Sequence, residues 1–453
     1  QVLSQVDVAP ATIAPVPDAD DYAVSDAQRR MWLLVEMGGR YAMPGALRLE
    51  GALDGPRLER AITAVVARHE ALRTRVVLAG DALRQVIDAD ARVDVRWVDL
   101  STAPQPTEAA AAWMARDGAQ PFDLERGPVL RTAVLRLAPH VHVLWLVVHH
   151  IAADGASLEY VLHDVAREYA GAPVSAPAFR YRDYAAWRAA DATSPAMAAH
   201  RAYWHRVLGG HLPVLELPTD RPRGAVRGSD GDRVVVTFAA DDRAAVMEWA
   251  QTLGATPFMA LVALVTLVLH RVTGQDDIIV GTPVSGRDRA EWQDVVGLFV
   301  NTIALRERVD ATRGFEALLA AVRETAVAAY AHQAYPFDQL VDALAAQREP
   351  GRHPFFDVMV VLAPPSSPTP AFDDVVATPF PVTSSESRFD LTFAFGEVND
   401  TLGLAIEYRT DLFDRASIER LARQCAVLLR AAVADPARPL AQLPMLAPDE
   451  VRQ

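Results

Sequence analysis

The chain contains 453 residues, of which 51% are hydrophobic, and 58 acidic side chains outnumber 44 lysines and arginines, so the formal net charge is −14. This length suits two lobes, and the negative balance argues against nucleic acid as the main partner. No apolar run reaches membrane-spanning length, since the run over residues 258–269 is too short. The lone cysteine, Cys425, excludes a disulfide within the chain and a cysteine-rich metal site. Because the chain also starts without the basic-then-apolar order of a signal peptide, we expect a cytoplasmic protein.

Shifts in composition divide the chain into five predicted parts. Residues 1–20 are rich in Pro, Ala and Val and predict a linker from a larger protein. An N-terminal lobe is predicted over 21–208 and a C-terminal lobe over 233–443. An inter-lobe connector rich in Pro, Gly and Arg covers 209–232, and 444–453 predicts a connector to a following domain.

Capping residues mark the early helices of the first lobe. Ser25 is predicted to cap a helix whose apolar face includes Met31 or Trp32. Asp54 is predicted to cap a second helix, with Pro56 in its first turn. That helix leads into the charged string RHEALRT, which on physical grounds alone is interpreted as a solvated helix end.

Two adjacent histidines, His149 and His150, follow an apolar run over residues 141–148 that predicts a mostly buried strand. Successive strand side chains point to opposite faces, so the two imidazoles are not expected to face the same cavity. From Gly155 the apolar period becomes helical, with Asp154 as a candidate N-cap. One interpretation is a general base beside a partly positive helix end, where an oxyanion could form. The other interpretation is two structural histidines with a capping aspartate. Taken as a whole, the string favours the catalytic interpretation.

The second half carries further local signals. Thr256 is predicted to cap a helix that is apolar nearly all round and therefore buried. A strand is predicted to begin within 388–392 and to pair with residues 402–408. Asp414 is the predicted cap of the last helix, over residues 417–432.

Seven motifs occur in one order between residues 25 and 359. The string from His149 to Gly155 reads HHxxxDG, and together with the others it resembles the condensation domains of nonribosomal peptide synthetases, with similarity continuing to about Leu443. The other six motifs are SDAQRRMWL (25–33), RHEALRT (68–74), YRDYAAW (181–187), GLFVNT (297–302), HQAYPFD (332–338) and RxxxRHPFFDVM (348–359). Asp338 stands where the family motif has Glu. The first two of these six resemble the subtype that accepts a donor ending in an L-residue.

The resemblance implies an α/β fold of two chloramphenicol-acetyltransferase-like lobes arranged as a V, with the active site in a tunnel between them. Phosphopantetheine arms of donor and acceptor peptidyl carrier protein domains would enter from opposite faces. The implied reaction is attack of an acceptor aminoacyl amine on a donor acyl or peptidyl thioester, which forms an amide. Because a thioester is already activated, we expect no metal and no other cofactor bound by the domain itself. The expected partners are carrier domains and neighbouring synthetase domains, with no nucleic acid and no membrane.

The resemblance also implies roles for the residues of the histidine motif. His150 is the catalytic histidine, with its role as a base or as a positioning group left open. His149, on the other strand face, is expected to be structural. Asp154 and Arg287 are expected to form a buried structural pair, because breaking such a pair is costly. Gly155 leaves room beside the histidine.

Other assignments stay open at this stage. Asn301 is a candidate for lining the tunnel or, equally, a buried turn residue. Four arginines are candidates for carrier docking: Arg29, Arg30, Arg221 and Arg223. Alternative functions are an epimerization domain, a non-catalytic recruitment domain of the same fold, and a free-standing CoA-dependent acyltransferase. The sequence identifies neither the donor nor the acceptor residue.

Overall fold

In the computed structural model, the described part of the chain is an α/β protein comprising residues 13–224, 227–344, 351–363, 369–382, 386–398 and 401–446. Its helices are α1 (Asp26–Glu36), α2 (Gly55–Arg68), α3 (Pro106–Gly118), α4 (Gly155–Tyr169), α5 (Tyr181–Asp191), α6 (Pro195–Leu208), α7 (Ala240–Thr252), α8 (Pro257–Thr273), α9 (Phe315–Ala331), α10 (Phe337–Leu344) and α11 (Arg415–Ala434). Its strands are β1 (Tyr22–Ala23), β2 (Ala42–Glu50), β3 (Thr74–Ala79), β4 (Ala82–Ile87), β5 (Val95–Asp99), β6 (Leu130–Ala138), β7 (Val141–His149), β8 (Gly231–Thr237), β9 (Asp277–Val284), β10 (Asn301–Arg308), β11 (Val358–Leu362), β12 (Val376–Pro379), β13 (Leu391–Val398) and β14 (Thr401–Arg409).

A five-stranded sheet in the order β12-β2-β7-β6-β5 holds the histidine strand at its centre. Strand β7 pairs antiparallel with β2 on one side and with β6 on the other. All of its residues after Val141 are buried, which is why its sequence is an almost unbroken apolar run. The predicted buried strand over 141–148 is therefore confirmed. The first half of the chain also forms a smaller, three-stranded sheet in the order β1-β4-β3.

The second half forms a six-stranded sheet in the order β10-β9-β11-β13-β14-β8. Strands β13 and β14 pair antiparallel, with Leu391 opposite Tyr408, so the predicted pairing of these segments is confirmed. Helix α8 supplies much of the core, because its residues Met259–His270 are buried.

The two hydrophobic cores exchange segments. Helix α6 precedes the predicted connector, yet its Trp204 packs into the core built mainly from the second half. In return, Trp292 and Phe299 pack into the core that surrounds the histidine strand. Strand β12 also crosses over and pairs antiparallel with β2. The division of the chain into lobes by residue number therefore stays a prediction, and neither core is built from one continuous stretch.

Helix starts follow their capping residues. The Ser25 side chain accepts the Gln28 N–H in a capping box, Asp54 accepts the Arg57 N–H, and Thr256 accepts the Met259 N–H, so these three caps are confirmed. Asp414 precedes α11, but its side chain makes no capping hydrogen bond. That carboxylate instead accepts from Arg221, and the helix extends to Ala434. Asp414 is therefore the N-cap residue of α11, as predicted, but its carboxylate pairs with Arg221 and not with a helix N–H.

The two ends of the chain are described in part. The predicted linker over 1–20 lies outside the described residues up to position 12, and beyond it the Val16 N–H donates to Asp183 at 2.7 Å, so this part is held by α5. Most of the predicted connector over 444–453 also lies outside the described residues. Cys425 is fully buried in α11, and burial raises the pKa of its thiol to about 12, so it is a protonated packing residue.

Within the described ranges, no single helix is long and apolar enough to cross a membrane. Helices α7 and α8 together meet the requirement by length and composition only, and they meet at an angle of 106°.

A buried carboxyl on β10 leads to a prediction about pH and stability. Glu307 is 2% exposed, and its Oε1 has no hydrogen-bond partner in the described part of the chain. Burial raises its pKa to about 7, so the folded state holds this proton more tightly than the unfolded chain does. The stabilising contribution is therefore complete below pH 4.5, declines as the pH rises and is lost above about 7.

We therefore expect Glu307→Gln to raise the free energy of unfolding at pH 8 relative to pH 5 by roughly 2–3 kcal/mol. Urea unfolding of both proteins at the two pH values measures this. The comparison between pH values removes any packing cost of the amide, since that cost is the same at both. Glu324→Gln, at an exposed position on α9, is the control. An equal effect of Glu307→Gln at the two pH values would contradict the prediction.

Candidate active site

Backbone pairing at the end of β7 positions the two histidines differently. The His149 N–H donates to the Val129 carbonyl, and the His150 N–H donates to the Tyr41 carbonyl, each at 2.8 Å. The His149 ring is buried and stands edge-on to Phe122, with ring centroids 5.5 Å apart. Since successive side chains alternate, His150 points the other way and is half-buried.

His149 is held as a neutral acceptor. The N–H of Ile151 donates to His149 Nδ1 at 3.1 Å, which leaves the proton on Nε2. Burial, followed by the positive charges of His150, Arg388 and Arg131, lowers the pKa of His149 to about 3. The ring is therefore uncharged at neutral pH and fits a packing role.

His150 is also neutral, but its tautomer is the opposite one. Its Nδ1 lies 2.8 Å from the carbonyl oxygen of Ala153. A carbonyl can only accept, so Nδ1 carries the proton and Nε2 keeps a free lone pair. Burial and then the charge of Arg388 lower the pKa of His150 to about 4, against the opposing effects of the Ala153 carbonyl and Asp154. At neutral pH the site therefore offers an unprotonated base.

Asp154 caps α4 and pairs with Arg287 from the second half of the chain. Its Oδ1 accepts from the Ser157 N–H and from Arg287 Nη2, each at 2.9 Å, and from the Ser157 hydroxyl at 2.7 Å. Its Oδ2 accepts from the Phe299 N–H at 3.1 Å. The two side chains are 5% and 3% exposed. The carboxylate is thus fully committed to bonds that do not involve His150.

Arg287 ties several backbone segments together. Its Nη1 donates to the carbonyls of Trp292 and Val295, at 2.6 and 2.7 Å. Its guanidinium also lies over the Phe299 ring, 4.1 Å from the centroid. The arginine therefore attaches the segment that leads into GLFVNT to the start of α4.

Sequence reasoning missed two hydroxyl residues that complete this arrangement. The Ser157 hydroxyl accepts from the Gly297 N–H at 3.0 Å and from Arg287 Nη2 at 2.8 Å. Tyr181 donates its hydroxyl to the Leu298 carbonyl and lies 2.7 Å from the Ser25 hydroxyl. For Ser157, the position in the first turn of α4 could have indicated a role in the site. For Tyr181, the sequence offered no signal except its place in an aromatic motif.

Gly155 and Asn301 differ in how they face the site. A side-chain carbon added to Gly155 would meet no atom within 4 Å, so the space beside this turn is open. Asn301 instead donates to the Gln333 and Tyr335 carbonyls, at 2.8 and 2.7 Å, and accepts from the Phe337 N–H at 3.1 Å. Its amide thus holds the turn of the HQAYPFD motif. A tunnel-lining role for Asn301 stays a prediction.

The described residues contain no group of three or more His, Cys, Asp or Glu side chains that could hold a metal ion.

Arg388, which sequence reasoning also missed as a site residue, stacks over the ring of Tyr41 with its guanidinium carbon 5.0 Å from the centroid. It is the cation whose charge acts on both histidines.

Comparisons with known proteins identify the family of the chain and structures that share its fold. A family model described as "Condensation domain" matches residues 18–453. Tyrocidine synthase 3 from Brevibacillus parabrevis is 36% identical over 439 residues, which are 96% of this chain and 7% of that protein. The X-domain from teicoplanin biosynthesis matches with a TM-score of 0.87 at 27% identity, over 96% of this chain and 100% of that chain. The first condensation domain of the CDA synthetase matches with a TM-score of 0.80 at 25% identity, over 94% and 99%.

These likenesses confirm the predicted α/β fold of the chloramphenicol-acetyltransferase-like type, while the V arrangement of the lobes and the tunnel between them stay predictions. The chain spans only a small part of the length of the curated relatives that it matches, 7% of tyrocidine synthase 3 and 12% of tyrocidine synthase 2.

Proposed function

The chain belongs to the condensation-domain family of nonribosomal peptide synthetases, and on that premise we propose that it forms an amide between two carrier-bound substrates. The donor is an acyl or peptidyl thioester, and the acceptor is an aminoacyl group with a free amine. The observation that carries the proposal is the neutral His150, whose Nε2 lone pair is free while Ala153 holds Nδ1. We extend the proposal to a donor that ends in an L-residue, because the SDAQRRMWL and RHEALRT strings resemble that subtype.

The proposed step balances without a metal or a redox partner. The acceptor nitrogen attacks the thioester carbonyl carbon, a C–N bond forms, and the carbonyl electron pair moves onto oxygen. His150 Nε2 takes the proton from the positively charged nitrogen. The oxyanion then collapses, the C–S bond breaks, and the thiolate of the donor phosphopantetheine takes that proton. Holding both substrates on tethered arms raises their effective concentration and supplies much of the rate.

Asp154 and Arg287 support this chemistry as positioning residues in the proposal. The four hydrogen bonds to the Asp154 carboxylate fix the turn that presents His150, and Arg287 anchors that turn to the second half. Gly155 leaves space beside the imidazole in which a substrate arm can lie. His149 supports the strand end from the opposite face.

A recruitment role without catalysis is the second candidate, because the chain resembles the X-domain from teicoplanin biosynthesis, a domain also solved in complex with OxyB. The HHxxxDG string is intact here, and the His150 base is neutral with open space at Gly155, which favours catalysis. An epimerization domain would need a second acid or base, and the committed carboxylate of Asp154 does not supply one.

Carrier docking is proposed to be weak and local, since the acidic body repels acidic carrier domains. Three of the four candidate arginines are engaged within the chain. Arg30 pairs with Asp338, Arg221 with Asp414 and Arg223 with Asp390. Arg29 is exposed on α1 and remains available for docking.

The test of the proposed function compares carrier-bound and CoA-bound donors. We expect the carrier-bound donor to react roughly tenfold faster or more at equal concentration, because only it keeps the docking contacts and the tether. Intact-mass measurement of the loaded acceptor carrier gives initial rates, with a reaction without enzyme as the background. Equal rates would favour a free-standing CoA-dependent acyltransferase. Absence of amide with every loaded carrier pair, while partner proteins still bind, would favour the recruitment role.

A further inference from the structure

The side chain of Arg388 lies beside the end of the histidine strand. Its guanidinium stacks on the ring of Tyr41, and the carbonyl of Tyr41 accepts the His150 N–H at 2.8 Å. The Arg388 carbonyl in turn accepts from Arg227, which fixes the backbone from which the guanidinium extends. An arginine from the second half of the chain is thus attached to the residue that neighbours His150 across the β2–β7 pair.

Arg388 presents unused hydrogen-bond donors. Among the residues that the structure describes, its guanidinium N–H groups have no hydrogen-bond or ion-pair partner. Glu386 and Glu407 act on its charge from a distance, while Glu386 pairs with Arg40 at 3.9 Å. The side chain is exposed to solvent, so its donors are accessible to a bound substrate.

We propose that Arg388 is a further catalytic residue, which donates to the thioester oxygen as it becomes an oxyanion. The proposal rests on the proposed function, because it concerns the oxygen of the same carbonyl that the acceptor amine attacks. As the C–N bond forms, the carbonyl electron pair moves onto this oxygen, and the guanidinium offers N–H donors to it. The negative charge leaves the oxygen again when the C–S bond breaks.

Arg388 lies near the imidazole, and this position indicates that its guanidinium binds the oxyanion and not a carboxylate of the substrate. His150 takes its proton from the attacking nitrogen, so the imidazole and the reacting carbonyl are neighbours during the step. Arg388 stacks on Tyr41, whose carbonyl accepts the His150 N–H, so its cation also lies near the charge that develops on the carbonyl oxygen. A guanidinium keeps its charge throughout and presents several donors in one plane, as this role requires.

The rate test uses single-turnover reactions of the complete domain with loaded donor and acceptor carriers bearing neutral residues. We expect Arg388→Gln to slow amide formation by about 10²-fold. Arg388→Lys should retain more activity than Arg388→Gln, because it keeps the charge without the planar donors. The matched control is Arg243→Gln, which removes an arginine of α7 that pairs with Glu397 of β13 and should react like the parent. Equal rates for Arg388→Gln and the parent with these neutral residues would overturn the proposal.

A second measurement does not depend on turnover. The charged groups that act on His150 are Arg388 and Asp154. We expect NMR titration of the histidine rings to show a higher His150 midpoint in Arg388→Gln, while Arg243→Gln leaves it unchanged. An unchanged midpoint in Arg388→Gln would overturn the proposal even if the parent formed no amide. Absence of amide from the parent would instead count against the proposed function.

Discussion

Replacing His150 with alanine is expected to slow amide formation by roughly 10²–10⁴-fold while the domain stays folded. The substitution removes the Nε2 lone pair that accepts the proton of the attacking amine. It also removes the Nδ1 hydrogen bond to Ala153, but the side chain is half-buried, so the loss of stability is small. Single-turnover rates with loaded carriers, measured beside thermal unfolding of the same preparations, test both parts.

The adjacent histidine is the matched control for this experiment. His149→Gln keeps an acceptor for the Ile151 N–H, so we expect a modest effect on rate and some loss of stability from the buried ring contact with Phe122. A folded His150→Ala variant that transferred at the parent rate would show that the histidine is dispensable. A large rate loss in His149→Gln without loss of stability would indicate that His149, on the opposite face of the strand, is the catalytic histidine.

The acid side of the rate profile follows from the same histidine. The pKa of His150 is lowered to about 4, so the imidazole stays unprotonated as the pH falls to near 5, and the enzyme should keep its base there. Protonation removes the base only below that range. Loss of activity between pH 7 and 6 in a folded protein would indicate another titrating group.

Local signals in the sequence were sufficient to predict the helix starts and the buried strand. The Ser25, Asp54 and Thr256 caps depend on contacts within three residues, and the pairing of β13 with β14 joins neighbouring segments. Such features depend on propensity and period, which a single sequence carries. The resemblance brought Asp154 and Arg287 together, because each stands near a recognisable motif.

Long-range packing could not be predicted in this way. The pairing of β12 with β2 and the packing of Trp204 into the second core depend on how distant segments meet. Arg388 precedes an ordinary apolar strand in the sequence, and only the fold brings it to Tyr41. The use of Asn301 to hold a turn likewise depends on where residues 333–337 lie. These contacts arise from tertiary structure, in which spacing along the chain carries no information about distance.

Breaking the Asp154–Arg287 pair is expected to have the second large effect, on both stability and rate. Asp154→Asn leaves the guanidinium of Arg287 buried without a carboxylate, which costs about 3–5 kcal/mol. Arg287→Ala leaves the carboxylate unpaired and removes the donor to the Trp292 and Val295 carbonyls. In both variants the turn that presents His150 loosens, so amide formation should slow together with the loss of stability. Urea unfolding and single-turnover rates of the same preparations measure the two effects.

Two controls separate a structural pair from a catalytic carboxylate. Arg415→Ala breaks the exposed pair of Arg415 with Asp232, whose side chains are 56% and 45% exposed, and should cost about 1 kcal/mol or less. Combining Asp154→Asn with Arg287→Met removes both charges, so the double variant should be more stable than the sum of the single losses indicates. If Asp154→Asn unfolded like the parent yet formed no amide, Asp154 would act directly on the reacting groups. The four hydrogen bonds that commit its carboxylate to Ser157, Arg287 and Phe299 predict the opposite result.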